Sequence, residues 1–298
     1  MRAIGQEARA IARAEPQRAI WGVKRLLGKT YKEALEHGEL GRMVVTVEAD
    51  QENGRCMFAL EDRDLRPEDV CADLLRHIRA VAEGQVGVDL SRAVVSVPAY
   101  FDAIAIGATV EAARRAGFES IDTIPEPVAA ALAYDLPLTS RPVNFLVFDI
   151  GAGTLDVTAA EVTRTRPGPA GLACRALKHT GTTRLGGLDI DDRLVAHLEE
   201  QMKLLNLEAE DRHALRQAAE IAKIELTTKD QTVIRARLKG QECVYPLSRG
   251  ELEQVIDDLI QMCKTQTLAA LRGAQWNPSQ VERLLLIVGP VAMPCILR

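Results

Sequence analysis

The sequence predicts a mixed-sheet α/β protein. Strand-length apolar stretches alternate with helix-length amphipathic ones, and hairpin turns occur as well as helical crossovers. No internal repeat or low-complexity tract is present, which argues against a solenoid, and no long heptad pattern points to a coiled coil. With 298 residues, 47% of them hydrophobic, the chain can bury a substantial core as one large two-lobed unit or as two domains.

The elements follow in order. The Ala- and Arg-rich start is helix-prone. Met43 to Glu48 and Cys56 to Leu60 read as strands flanking the polar turn from Asp50 to Gly54. Pro67 suits the first turn of a helix, and Val70, Leu74, Leu75, Ile78 and Val81 recur at helical spacing until Gly84. The apolar run Ala93 to Val97 is expected as a buried strand ending at Pro98, followed by an Ala-rich helix to Ala116 that stops at Gly117. A strand from Ile121 to Ile124, a helix from Glu126 to Tyr134, a proline-containing link from Leu136 to Pro142 and a strong strand from Asn144 to Asp149 come next. Gly151 to Gly153 turns the chain into a strand from Leu155 to Val162, and Arg166 to Gly171 makes another turn before a strand through Leu177. Asp189 to Leu204 and Glu208 to Leu226 are amphipathic helices, and a hairpin turns at Lys239 and Gly240. Ser248 to Glu251 reads as a capping box opening one helix to Arg272, and Leu284 to Val288 is the last strand.

Composition narrows the function classes. A net charge of -5 and an aromatic content of 4% give neither a general pull toward polyanions nor many rings for base stacking, so nucleic acid is not an expected partner. No run of eighteen apolar residues spans a membrane, and the N-terminus has no apolar segment of the secretory kind, which makes the cytoplasm the expected location. Six scattered cysteines form no C-x-x-C pair, and they read as buried thiols.

The segment richest in chemistry is Asn144 to Thr158. An apolar strand delivers Asp149 to its end, Gly151 and Gly153 permit a tight turn whose N–H groups can cradle phosphate oxygens, and Thr154 adds a hydroxyl. A carboxylate there suits Mg²⁺ held through its water shell. A plain hairpin with glycines for the turn fits the same residues. Two nucleotide motifs fail on spacing: Gly22 to Thr30 places five residues between its glycines where a P-loop has four, and Gly151 to Asp156 lacks the third glycine of a dinucleotide fingerprint.

Five ordered segments then share one likeness: Val23 to Gly28, Val97 to Phe101, Glu126 to Tyr134, Asp149 to Asp156 and Leu185 to Asp189. Together they resemble successive signatures of the ATP-binding domain of DnaK-type heat-shock chaperones. The resemblance implies an actin-like (ribonuclease H-like) two-lobed ATPase fold, here incomplete, with mixed sheets flanked by helices. It implies residues 1–143 as a partial first lobe and 144–298 as a second lobe with the phosphate loop and a helical subdomain. ATP or ADP and Mg²⁺ are the implied cofactors. Unfolded client proteins, cochaperones or nucleotide-exchange factors are the implied partners, in protein folding and the stress response.

Residue by residue, the resemblance makes Lys24 the lysine that positions the attacking water and the γ-phosphate, and Glu126 a carboxylate near the metal. Asp149, Gly151, Ala152, Gly153 and Thr154 become the second phosphate loop, with Asp149 and Glu126 serving Mg²⁺. Gly186 and Gly187 open the smaller subdomain, and Glu220, Lys223 and Thr227 hold the adenosine. Their three- and four-residue spacings put those three on one helix face, which a solvated face would equally explain.

The departures bear on activity. The family's first phosphate loop lies upstream of any segment matched here, and the sequence ends at Arg298, before the rest of the second lobe and any peptide-binding domain. Ile224 stands at an arginine position, Leu188 at an acidic one and Ala152 at a glycine. Only Gly289 persists from a Gly-Gly-Ser-Thr-Arg loop now reading Val288 to Ala292, and Pro98 keeps its place while its arginine partner corresponds to Ile106. These changes lead us to expect impaired ATP hydrolysis, the alternative being a non-enzymatic interaction protein or gene remnant that no longer binds nucleotide.

Overall fold

A computed structural model describes residues 3–12, 15–40, 43, 45–60, 63–99, 101–133, 141–164, 172–182, 185–287 and 289–298. Tyr100, Tyr134, residues 136–140, the turn from Arg166 to Gly171 and Val288, all part of the sequence reading, lie outside the described residues. The chain forms two compact units, Met1–Glu126 and Pro127–Arg298.

In the first unit, α1 (Gln6–Ala12), a 3-10 turn (Val23–Leu26) and α2 (Tyr31–Glu36) precede an antiparallel sheet of β1 (Thr46–Ala49), β2 (Cys56–Ala59) and β3 (Asp64–Leu65). Thr30 caps α2 reciprocally with Glu33, so a capping box fixes its start. Leu26, Ala34, Val45, Cys56, Phe58 and Leu65 close a small core beneath the sheet. The helix α3 (Pro67–Val86) runs past Gly84 and ends at Gly87, whose φ of 73° supplies the left-handed stop.

Then β4 (Arg92–Val97), α4 (Ala103–Arg115) and β5 (Ser120–Pro125) form a parallel β-α-β unit. Ala93, Val95 and Ile121 pack with Leu75, Ala113, Ala116 and Phe118. The expectation of a wholly buried β4 needs correction, because its burial alternates and Val94 is 65% exposed. Its period is that of a strand covered on one face only.

The second unit centres on a four-stranded sheet in the order β11-β6-β7-β8, entered through α5 (Glu126–Ala133). The strands are β6 (Val143–Ile150), β7 (Leu155–Arg164), β8 (Leu172–Thr182) and β11 (Arg283–Ile287), with β6 antiparallel to β7 and parallel to β11. Flanked on both edges, β6 is buried along most of its length, as its continuous apolar run requires. Helices α6 (Gly187–Gln201) and α7 (Ala209–Glu225), the hairpin β9 (Gln231–Leu238) and β10 (Gln241–Ser248), and helices α8 (Arg249–Val255), α9 (Asp257–Gly273) and α10 (Pro294–Leu297) complete the unit. Ile150, Leu155, Leu194, Leu198, Leu215 and Ile256 belong to its large apolar core.

The single helix expected from Ser248 to Arg272 is broken at Ile256. That residue is fully buried with φ −108°, so core packing takes it out of the helical well. The capping box is also half made. Ser248 Oγ accepts the Glu251 amide at 3.1 Å, but Glu251 Oε1 turns instead to the Tyr245 hydroxyl at 2.5 Å and His197 Nε2 at 2.8 Å. Among the described residues no helix is long and apolar enough to cross a membrane.

Candidate functional site

In the first unit the 3-10 turn carrying Lys24 sits between Gly22 and Gly28. Gly28 has φ 73°, and a Cβ there would lie 3.0 Å from the Ala105 backbone, so the close approach of α4 leaves room only for glycine. This turn brings Lys24 Nζ to 2.7 Å from Glu126 Oε1, across 102 residues of sequence. The two side chains are 47% and 21% exposed. They form a cation–carboxylate pair open to solvent.

In the second unit Asp149 is the penultimate residue of β6, opposite Asp156 on β7 and Ile287 on β11. Because β6 and β11 are parallel, the chain leaves both strands on the same side of the sheet, and ligand sites of open α/β sheets form at such carboxyl ends. The turn after β6 closes through the Gly151 amide, which donates to the Thr154 carbonyl at 2.9 Å. That N–H is therefore spent inside the turn.

Gly186 lies directly on this turn. A Cβ at Gly186 would come within 2.4 Å of Gly153 N and 2.6 Å of the Ala152 carbonyl carbon, a contact no side chain could occupy. The Gly187 amide donates to the Gly151 carbonyl at 2.9 Å and the Leu188 amide to the Ala152 carbonyl at 2.6 Å, so the start of α6 is stitched to the turn by backbone alone. At Gly187 a side chain would meet Lys223 Nζ at 3.4 Å and Pro290 at 3.5 Å. Pro290 follows Gly289 in the short 3-10 helix after β11. Thus the 151–154 turn, Gly186, Gly187, Lys223 and the Gly289 segment converge on one end of the sheet.

Lys223 is buried, 8% exposed, so a solvated helix face does not describe it. Its Nζ lies 2.6 Å from Asp191 Oδ1 and donates to the Gly187 carbonyl at 3.1 Å. Burial raises the Asp191 carboxyl to about 6 despite the attraction of Lys223. Glu220, half-buried, lies one turn before Lys223. Thr227 Oγ1 donates back to the Lys223 carbonyl at 3.4 Å, and Ile224 is 60% exposed.

Two residues escaped the sequence reading. His179 on β8 places Nδ1 3.1 Å from Thr158 Oγ1 and Nε2 3.4 Å from Asp156 Oδ1, and burial lowers its pKa. No spacing rule singles out a lone histidine across a strand pair. Asp191 was detectable: Gly187, Ile190, Asp191, Leu194, Val195 and Leu198 make the buried stripe of α6, and a carboxylate within an apolar stripe calls for a buried cation.

A glycine turn closing an inner strand of a mixed sheet, with a glycine pair packed on it, is compatible with the actin-like ATPase fold, the fold class that the family match establishes. The chain belongs to the Hsp70 family, matching the family described as Hsp70 protein over residues 1–298. It is 31% identical over 306 residues to Chaperone protein DnaK of Elusimicrobium minutum, an alignment covering 99% of this chain and 44% of the relative. The corresponding figures are 31%, 98% and 46% for Chaperone protein DnaK of Methanothermobacter thermautotrophicus, and 30%, 98% and 50% for that of Carsonella ruddii. The chain spans about half the length of the curated relatives it matches.

Among the described residues no group of three His, Cys, Asp or Glu side chains is placed to hold a metal. A single carboxylate beside bound phosphates would suit Mg²⁺ carried by phosphate oxygens and water, and Asp149 is the residue that the family resemblance puts there.

Proposed function

We propose that the chain is a nucleotide-binding module of chaperone type, taking ATP or ADP with Mg²⁺ at the carboxyl end of β6 and hydrolysing ATP slowly. The observation that carries this reading is the contact of Gly186 and Gly187 with the 151–154 turn, a packing that a plain hairpin does not need. In this reading Ala152, Gly153 and Thr154 bind phosphate, Gly151 shapes the turn, and Asp149 orders the water shell of the metal. Gly186, Gly187 and Gly289 border the phosphates, and Glu220, Lys223 and Thr227 serve the adenosine side. Bound Mg²⁺ would neutralise charge developing on the phosphates during transfer.

In the first unit Lys24 would orient the attacking water and the γ-phosphate, with Glu126 holding it and ordering water near the metal. Slow turnover is expected from the adenosine side, where the exposed Ile224 offers no guanidinium for stacking. A role beside unfolded clients, cochaperones or exchange factors in the cytoplasm extends the family resemblance and belongs to the same proposal.

The test is calorimetric titration with ATP, with and without Mg²⁺. Metal-dependent binding abolished by Asp149→Ala supports the site. A folded chain that takes up no nucleotide overturns it and favours the second reading, a non-enzymatic interaction protein, to which Ile221 and Ile224, both solvent-exposed on α7, would lend apolar surface.

A further inference from the structure

A cavity of about 350 Å³ lies within the first unit, lined by the β1–β2 turn, the start of α3 and one side of α4. Its size is that of a small-molecule site. Five charged side chains line it: Arg55, Arg66, Glu68, Glu111 and Arg115. Three of them are already matched. Arg66 Nη2 lies 3.0 Å from Asp50 Oδ2, and Arg115 reaches Asp69 at 2.5 Å and Glu111 at 3.0 Å.

The two that are left are of opposite sign. Glu68 is only 8% exposed, yet among the described residues no cation or hydrogen-bond donor reaches its carboxylate. Its neighbour Asp69 takes the partners nearby, accepting the Arg66 amide at 3.0 Å as well as the Arg115 guanidinium. The first turn of α3 gives Glu68 the field of a helix N-terminus, but such a field offsets only part of the cost of burying a carboxylate. Arg55 has no carboxylate partner among the described residues. Its backbone is fixed at the end of the β1–β2 turn, where its carbonyl accepts the Asp50 amide at 2.7 Å and its amide donates to Asn53 Oδ1 at 3.0 Å. The rest of the lining is uncharged. Burial pushes the Cys56 thiol up to about 11, so it stays protonated near neutrality, and Ile104 and Ala108 add apolar surface from α4.

A ligand complementary to this lining brings a cation to Glu68, an anion to Arg55 and a short apolar body to α4. We propose that the cavity binds a small zwitterion of the amino-acid class, its ammonium paired with Glu68 and its carboxylate with Arg55. None of the lining residues belongs to the proposed nucleotide site, so this inference goes beyond that reading and stands or falls independently of it.

The test is titration of the folded chain with leucine, γ-aminobutyrate and ε-aminocaproate, in which ammonium and carboxylate are progressively farther apart. Binding is followed through the amide chemical shifts of Gly107 and Ala108 in the cavity wall. At least one of the three should bind with a dissociation constant of about 1 mM or tighter. Removing either charge from the ligand, as isopentylamine and isocaproate do for leucine, should weaken binding by about tenfold or more. Glu68→Gln should abolish binding while keeping or raising stability in urea unfolding, because it removes an unmatched buried charge. Arg55→Gln should weaken the zwitterion but not the amine. Gly107→Leu is the steric control: a Cβ there meets nothing within 4 Å, so the larger side chain can enter the cavity without displacing backbone and should block binding in a folded chain.

No shift at Gly107 and Ala108 with any of the three zwitterions at about 10 mM overturns the proposal, as does binding that survives Glu68→Gln undiminished. Equal affinity for a zwitterion and its amine would leave Arg55 without a part and overturn it as well.

Discussion

Gly186 leaves the least room of any residue at the candidate site. Its missing Cβ is what lets Gly153 N and the Ala152 carbonyl carbon approach, and both are backbone atoms that cannot swing aside. Gly186→Ala should therefore cost about 1–3 kcal/mol in urea unfolding, the usual penalty of overpacking, and should weaken nucleotide binding with it. Asp191 makes a prediction about pH. Its carboxyl is raised from 3.8 to about 6 by burial, so the folded state favours its protonated form. The stability it lends is complete below its unfolded value and is lost as pH rises through about 6, a change on the order of 2–3 kcal/mol. Measured against Asp191→Asn between pH 4 and 7.5, the chain's relative stability should fall as pH rises. Lys24 and Glu126 behave differently, being partly exposed. Lys24→Ala should alter unfolding free energy by less than about 1 kcal/mol while removing whatever ATP hydrolysis a phosphate-release assay detects.

At the scale of elements, boundaries that depend on local chemistry were readable and those that depend on packing were not. The Lys239–Gly240 hairpin was visible because a two-residue turn needs positive φ at both positions, and the backbone shows 49° and 78° there. Ser248 was visible as an N-cap, and Ser248→Ala should lower stability by about 1 kcal/mol in urea unfolding, with Ser248→Asp retaining most of it. The break at Ile256 was hidden, since isoleucine carries no helix-stop signal and only burial in the core moves its backbone. The partners of Glu251 were hidden too. Tyr245 and His197 reach its carboxylate from β10 and α6, which no window around Ser248 contains.

At the scale of the whole molecule, each unit supplies part of what the family resemblance assigned. Lys24 and Glu126 belong to the first unit, while Asp149, the glycine turn and the α7 residues belong to the second. If the second unit binds nucleotide, Mg²⁺ and ADP at a hundred times the dissociation constant should stabilise the folded chain by about 2.7 kcal/mol, visible as a rise in midpoint temperature that Asp149→Ala abolishes. The same addition should leave Gly186→Ala with a smaller rise, because the turn it displaces is the one that receives the phosphates.

The sequence by itself determined the alternation of strands and helices, the glycine turn after Asp149 and the family to which the five ordered segments point, since periodicity, turn chemistry and motif order are properties of neighbouring residues. Only the tertiary structure decided that Lys24 meets Glu126, that Gly186 must be glycine because another backbone fills the place of its side chain, and that Lys223 is a buried partner of Asp191 rather than part of a solvated face. Those facts depend on atoms brought together from 102, 33 and 32 residues apart, and local pattern holds no record of distance in space.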